Sequence, residues 1–241
     1  MAKGSRASPL VPTVAELRQR WYPNTGSPFE ALVDSALSQA RRVLVFGAGR
    51  GVFERDLRAS ARLVIGIDVT SAIKDNPYLD GAVLYNGISL PIDTATFDLC
   101  VARWVIEHIA EPESVLNEIA RVVRPGGRFV FITMNAWFYA GLLARIVPNR
   151  LHAPIVKWAT GRESRDTFPT YYRANTRRRL GRLLHEAGFK AEMLRVESGD
   201  PAYLQFSRLT YVLGTLFHKV VNRVPRLEDL GQAVIGSFVK Q

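Results

Sequence analysis

Five short apolar runs, Arg42–Phe46, Leu63–Ile67, Ala82–Tyr85, Phe97–Val101 and Arg128–Thr133, alternate with helical stretches, and this pattern narrows the folds open to the chain more than any other feature. Runs this short and this rich in β-branched residues predict strands buried on both faces. The helical periods between them, Val52–Ser60 and Pro112–Val123, supply cover for those faces. In the second, Val115, Leu116, Ile119, Val122 and Val123 fall on one side. Strands alternating with helices in this order predict βαβ units and a doubly wound α/β sheet. Two helices are expected ahead of the first strand. Thr13 with Glu16 three residues on makes a capping-box pattern for a helix through Tyr22. Ser27, Pro28 and Glu30 start another that runs to about Ala40.

Composition excludes several classes. At 241 residues with 47% hydrophobic residues, the chain has enough apolar material for one sizeable core and is not disordered as a whole. Its single cysteine, Cys100, cannot staple a disulfide scaffold and, lying inside a strand, reads as a small core residue. Met1–Pro9 is polar and basic without an apolar stretch, which predicts no secretory signal and a cytoplasmic location. The longest uncharged run, Phe129 to Ala144, is shorter than the roughly 20 residues a spanning helix needs.

A strand running into Gly47-Ala48-Gly49-Arg50-Gly51 and then into a helix is the first chemical signal. Glycines there permit positive φ and let a ligand approach the backbone. The spacing is G-x-G-x-G. Val52 stands where a dinucleotide-binding loop has its third glycine, which argues against a nicotinamide oxidoreductase. Asp68 closes the second strand about 20 residues later, the position from which a carboxylate can accept both hydroxyls of a ribose. Loop and acid together point to an adenosine-bearing cofactor.

With these residues in view the chain resembles the class I S-adenosylmethionine-dependent methyltransferases, of the methyltransferase type 11-like kind. The resemblance is close over Arg41–Thr133 and loose elsewhere. It rests on Phe46 to Gly51, Gly66-Ile67-Asp68, Tyr85 to Pro91, Thr96 to Cys100 with Val105 to Ile109, and Leu116 to Gly127. It implies a Rossmann-like seven-stranded sheet with the last strand antiparallel. It also implies a tail at residues 1–12 followed by one methyltransferase domain over 13–241. S-adenosylmethionine is the implied cofactor and S-adenosylhomocysteine the product. Gly47 and Gly49 would cradle the amino-acid part, Asp68 the ribose and Asn86 with Gly87 the adenine, and Phe46, Ala48 and Val69 are further cofactor-binding candidates. Arg103 and Trp104 would lie beside the methionine moiety and sulfonium. Two positions depart from the family pattern: Val45 stands where an acid is usual, and Asn86 where aspartate is commoner. The first leaves open a cofactor-binding protein without catalysis.

Methyl transfer to a hydroxyl gains from a base that removes its proton. His108, after the fourth strand, is the candidate; the alternative is a histidine bonded within the fold or orienting Glu107. Trp21 and Tyr22 either form a lid or simply pack. His152, His185 and His218 show no metal-ligand spacing, so no metal is implied.

The second half carries the charge. Residues 134–241 hold 17 Lys/Arg against 8 Asp/Glu, whereas residues 1–133 hold 15 against 14. Helical insertions are expected at about 135–174 and 199–232, forming an acceptor-side cap. The first mixes Trp137, Phe138, Tyr139, Leu142, Leu143, Ile146, Ile155, Val156 and Trp158 with Arg145, Arg150 and Lys157. The second contains a long amphipathic helix over Pro201–Val224, with Phe206, Leu209, Leu213, Leu216, Phe217, Val220 and Val224 at helical spacing. Between them lie a helix from Asn175 or Thr176 to Ala187 and a strand Lys190–Glu197; a last strand spans Ala233–Val239. Apolar surface beside Lys/Arg suits an interfacial helix on the inner face of a membrane, a cap over the core, or a pocket for a lipid-linked acceptor. Arg173, Arg177, Arg178, Arg179 and Arg182 form a basic cluster that fits a phosphate-bearing acceptor, an anionic membrane or a solvated face. With no nucleic-acid-binding module, RNA and DNA are disfavoured as partners. The expected activity is methyl transfer to oxygen on a small or lipid-linked acceptor, with N- or C-methylation as the alternative.

Overall fold

The computed structural model describes residues 12–23, 27–51, 55–139, 142 and 168–241. Helices α1 (Val14–Trp21) and α2 (Pro28–Leu37) both begin on a capping box, Thr13 with Glu16 and Ser27 with Glu30. There follow β1 (Arg42–Phe46), α3 (Arg55–Ser60), β2 (Leu63–Asp68), β3 (Gly81–Leu84), β4 (Phe97–Arg103), α4 (Pro112–Val122), β5 (Val123–Met134), α5 (Arg177–Glu186), β6 (Phe189–Glu197), α6 (Arg208–Arg223) and β7 (Ala233–Lys240). The strands form one seven-stranded sheet in the order β3-β2-β1-β4-β5-β7-β6. β7 runs antiparallel to both neighbours and the other pairings are parallel. This is the doubly wound, Rossmann-like α/β sheet with an antiparallel last strand.

Alternation along each strand builds two apolar layers. On β1, Leu44 and Phe46 enter the layer covered by α4 and α5, with Leu116, Ile119, Leu180 and Leu184. Val43 and Val45 enter the opposite layer with Phe29, Val33 and Leu57 from α2 and α3. A strand that buries both faces has no polar side, which is why these segments read as continuous apolar runs. Cys100 lies fully buried in the first layer, and burial pushes its thiol up.

Several boundaries differ from expectation. β5 begins at Val123: Val123 pairs with Phe97 and Arg128 with Leu99, so Arg124–Gly127 bulges opposite the single residue Asp98. A Cβ at Gly127 would lie 2.9 Å from the Asp98 carbonyl oxygen, so only glycine closes that bulge. β4 extends two residues further and takes in Arg103. The helix expected from Pro201 begins seven residues later, at Arg208. Ser207 caps it, accepting from the Thr210 N–H at 3.2 Å, while Ala202–Leu204 forms a short 3-10 turn. That turn doubles back on α6, and a Cβ at Gly214 would lie 2.7 Å from Leu204 Cδ1 and 2.9 Å from Pro201 Cβ. Val52, all of the expected tail at residues 1–12 except Pro12, and most of the first insertion, including Leu143, Arg145, Ile146, Arg150, His152, Ile155, Val156, Lys157 and Trp158, lie outside the described residues.

Candidate cofactor and acceptor site

The pairing register places the carboxyl ends of β1, β2, β4, β5 and β6 along one edge of the sheet. At β1, Gly47, Gly49 and Gly51 take φ values of +73°, +50° and +69°. The Gly47 N–H donates to the Ile67 carbonyl at 2.8 Å and the Ala48 N–H to the same oxygen at 3.2 Å, which folds the loop over the end of β2. Gly49 has nothing within 4 Å of where a Cβ would stand, so the loop leaves an open cradle there. Gly47 is closed instead: a Cβ would press on the Val105 side chain, with Cγ1 at 2.8 Å. Gly47→Ala therefore combines left-handed backbone strain of about 1–2 kcal/mol with a clash. It is expected to lower the melting temperature, and Val105→Ala in the same chain should recover the steric part only, as read from a double-mutant cycle of thermal melts.

A cavity of about 320 Å³ opens at this edge. It is lined by Gly47, Gly49, Asp68, Val69, Arg103, Trp104 and His108, all singled out from the sequence, and by Arg50, Thr70, Ala72, Tyr85, Val105 and Phe168. Asp68 is buried. Its Oδ2 accepts from the Gly49 N–H at 2.9 Å, and its Oδ1 from the Thr70 N–H at 2.9 Å and the Thr70 hydroxyl at 3.0 Å. The carboxylate thus holds the glycine loop and the start of the next turn in place. The Thr70 hydroxyl can turn away and free an acceptor position for a ligand hydroxyl. Burial, with the Asp68 carboxylate beside it, pushes the Tyr85 phenol up, so it stays a neutral donor.

Trp104 follows β4 with φ +56°, a conformation an L side chain adopts only where its surroundings impose it. Its N–H donates to the Ile132 carbonyl at 2.9 Å, and its indole stands partly exposed at the cavity. His108 ends the short 3-10 turn Ile106–His108. Its Nδ1 lies 2.9 Å from the Pro169 carbonyl oxygen, and its ring meets Phe168 edge-on at 5.9 Å. A carbonyl only accepts, so Nδ1 carries the proton and the neutral ring keeps its acceptor lone pair on Nε2.

Glu107, next to it, is buried and points the other way. Its Oε2 accepts from the Thr133 hydroxyl at 2.7 Å, Thr133 accepts from Asn175 Nδ2 at 2.6 Å, and the Tyr171 and Tyr172 N–H groups donate to the Glu107 carbonyl. Burial pushes the Glu107 carboxyl above the usual carboxylate range, with the Thr133 hydroxyl opposing. This network ties the His108 turn to β5 and to the segment carrying Pro169.

Other candidates fall elsewhere. Phe46 is fully buried against Tyr85 at 5.7 Å, and Ala48 packs in the core, so neither lines the cavity. Asn86 Oδ1 accepts from the N–H groups of Ile88 and Ser89 at 3.0 and 2.9 Å, an Asx turn; neither Asn86 nor Gly87 lines the cavity. Val45 lies in the apolar layer away from it. Trp21 is no lid: it stacks on Tyr211 of α6 at 6.2 Å, because α1 packs onto that helix. The basic cluster is largely spent on the fold. Arg173 donates to the Ala110 carbonyl, Arg177 pairs with Asp229, Arg179 with Glu113 and Arg182 with Glu186. Among the described residues no group of three His, Cys, Asp or Glu stands together to hold a metal.

The family model for a methyltransferase domain matches residues 33–131. That stretch is short of half the chain, and over it the chain is similar to the class I S-adenosylmethionine-dependent methyltransferases. A malonyl-[acyl-carrier protein] O-methyltransferase of Erwinia billingiae is 31% identical over 121 residues, 48% of each chain. A ubiquinone biosynthesis O-methyltransferase of Paraburkholderia phymatum is 27% identical over 165 residues, 57% of this chain and 71% of its own. Matches to such curated relatives span from 43% to 71% of their length. The crystal structure of a SAM-dependent methyltransferase from Aquifex aeolicus superposes with a TM-score of 0.55 over 95% of this chain and 97% of its own, at 16% identity, and so shares the fold.

The cofactor of this family is S-adenosylmethionine, and the residues fit it. An open glycine cradle, a carboxylate at the end of β2, aromatic faces and two arginines surround a cavity within the usual range for small ligands. Arg50, Thr70 and Tyr85 lie inside or beside the sequence motifs and were legible by position. Phe168 carries no sequence signal.

Proposed function

We propose that the chain transfers a methyl group from S-adenosylmethionine to oxygen on a small-molecule or lipid-linked acceptor. The observation that carries this reading is the joining of Asp68, the open glycine loop and His108 in one cavity. When bound, S-adenosylmethionine supplies an already activated methyl on a cationic sulfur. Gly47 and Gly49 border its amino-acid end, Arg50 and Arg103 offer cations for its carboxylate, and Asp68 takes the ribose. Val69, half exposed at the rim, would border the adenosine part. Trp104 and Phe168 exclude water and offer π faces to the sulfonium. His108, held through Nδ1 by the Pro169 carbonyl, would take the acceptor's hydroxyl proton on Nε2 as the oxygen gains the methyl and the methyl–sulfur bond breaks, leaving S-adenosylhomocysteine. Residues 13–241 act as one unit, in which the elements after β5 and between β6 and β7 shape the acceptor side. The O-methyltransferase relatives support the choice of oxygen, and the basic second half favours an anionic acceptor or surface.

Calorimetric titration tests this. S-adenosylmethionine and S-adenosylhomocysteine are expected to bind with micromolar affinity while NADH and NADPH give no heat. Absence of binding by the first pair would sink the reading and leave the alternative of a protein whose cofactor site was lost with the acid at Val45.

A further inference from the structure

Helix α6 turns its apolar stripe outward. Leu209, Leu213, Leu216, Phe217, Val220 and Val224 are 69%, 56%, 54%, 37%, 49% and 39% exposed. The face that packs on the protein is Tyr211, Gly214, Thr215, His218 and Val221. That inner face is firmly held. Tyr211 Oη donates to Asp200 Oδ1 at 2.9 Å, Asn222 Nδ2 to the Ser198 carbonyl at 2.9 Å, and Trp21 stacks on Tyr211. The helix cannot roll to hide its leucines without breaking these bonds.

At 100° per residue, Arg208, Lys219 and Arg223 fall in a row along one flank of the stripe, between it and the buried face. All three are exposed, and the sixteen residues of α6 contain no Asp or Glu. An exposed apolar row beside a cationic row is the surface of a helix lying in a lipid interface. The helix does not span: among the described residues none is long and apolar enough to cross a membrane. A second copy docked antiparallel through this stripe would gather two cationic rows at one seam, whereas a bilayer with anionic headgroups meets each row with opposite charge.

We propose that α6 docks the protein on an anionic lipid bilayer, its leucines in the acyl boundary and Arg208, Lys219 and Arg223 on the headgroup phosphates. Its place between β6 and β7 puts it at the sheet edge that carries the cavity, so docking presents the acceptor side to lipid. The inference rests on the methyl-transfer reading for its purpose, and it narrows the acceptor to one reached from a membrane surface.

Flotation of the full chain with phosphatidylcholine vesicles, alone or two-to-one with phosphatidylglycerol, is the test, with S-adenosylhomocysteine calorimetry run in parallel on every variant. The chain is expected to float with the anionic vesicles and to bind the neutral ones at least about tenfold more weakly. Each basic side chain at such a surface contributes about fivefold. The triple variant Arg208→Glu, Lys219→Glu, Arg223→Glu, which reverses these charges, should therefore weaken binding by at least about 100-fold. Leu213→Glu with Leu216→Glu should abolish flotation and leave S-adenosylhomocysteine affinity unchanged. Flotation that is absent, or equal in the leucine variant, overturns the proposal. So does a dimer that the leucine variant dissociates, which assigns the stripe to a second copy. A large fall in melting temperature in that variant assigns the stripe to packing within the chain and overturns the proposal too. Loss of S-adenosylhomocysteine binding in the unaltered chain would instead count against the cofactor site and leave docking to be judged by flotation.

Discussion

Asp68→Ala is expected to weaken S-adenosylhomocysteine binding by at least about 100-fold while leaving the sheet folded. The carboxylate receives three hydrogen bonds from the protein itself, from the Gly49 N–H, the Thr70 N–H and the Thr70 hydroxyl. Removing it deletes the ribose acceptor and, with it, the bonds that hold Gly49 at φ +50°. A hydrogen bond to a charged group contributes roughly 1.5–3 kcal/mol. The loss of a ribose bond together with part of the loop's preorganisation thus reaches the stated factor, since 1.4 kcal/mol is about tenfold. Asp68→Asn separates the two contributions. It keeps one acceptor oxygen but turns an NH2 toward either Gly49 or Thr70, both donors, so an intermediate loss of about tenfold is expected. Calorimetry gives the affinities and circular dichroism the fold. A full-strength isotherm from Asp68→Ala would remove the cofactor assignment from this cavity.

The half of the molecule that carries the cofactor was largely legible in the sequence, and the acceptor side was not. Strands β1, β2 and β4 are buried on both faces, so Val43 to Phe46 and Leu63 to Ile67 had no polar alternation to confuse with anything else. The caps at Thr13, Ser27 and Thr176 are local chemistry and fell where the side chains placed them. The failures share a different cause: they depend on what lies across space. Asn86 is the local exception, since its oxygen closes an Asx turn on Ile88 and Ser89. The arginines of α5 read as a free cationic patch, yet Glu113 comes from α4 and Asp229 from the segment before β7.

Helix α6 shows the same limit most clearly. Periodicity finds the stripe of leucines, and nothing in a period states which side faces the core. Here the buried side is the one carrying Gly214, which allows Pro201 and Leu204 to approach, and Tyr211 and His218, which reach Asp200 and the Gly199 carbonyl. A helix whose polar and small residues are bonded inward is left with its apolar residues outside.

His108→Ala is expected to give the largest effect on turnover alone, a fall in kcat of about 10²–10⁴-fold, the usual contribution of a positioned base. S-adenosylhomocysteine affinity should stay within a few-fold, because the ring lies at the acceptor end and Asp68 and the glycine loop are untouched. His108→Gln can still donate to the Pro169 carbonyl but has no lone pair basic enough to take a proton, so it should share the kinetic loss while keeping the local packing. The two variants also decide the acceptor atom. A hydroxyl must lose its proton as the O–C bond forms, whereas an amine that is already neutral attacks through its own lone pair and sheds its proton afterwards. Turnover that survives in both variants would therefore remove His108 as base and move the reading from oxygen to nitrogen or carbon.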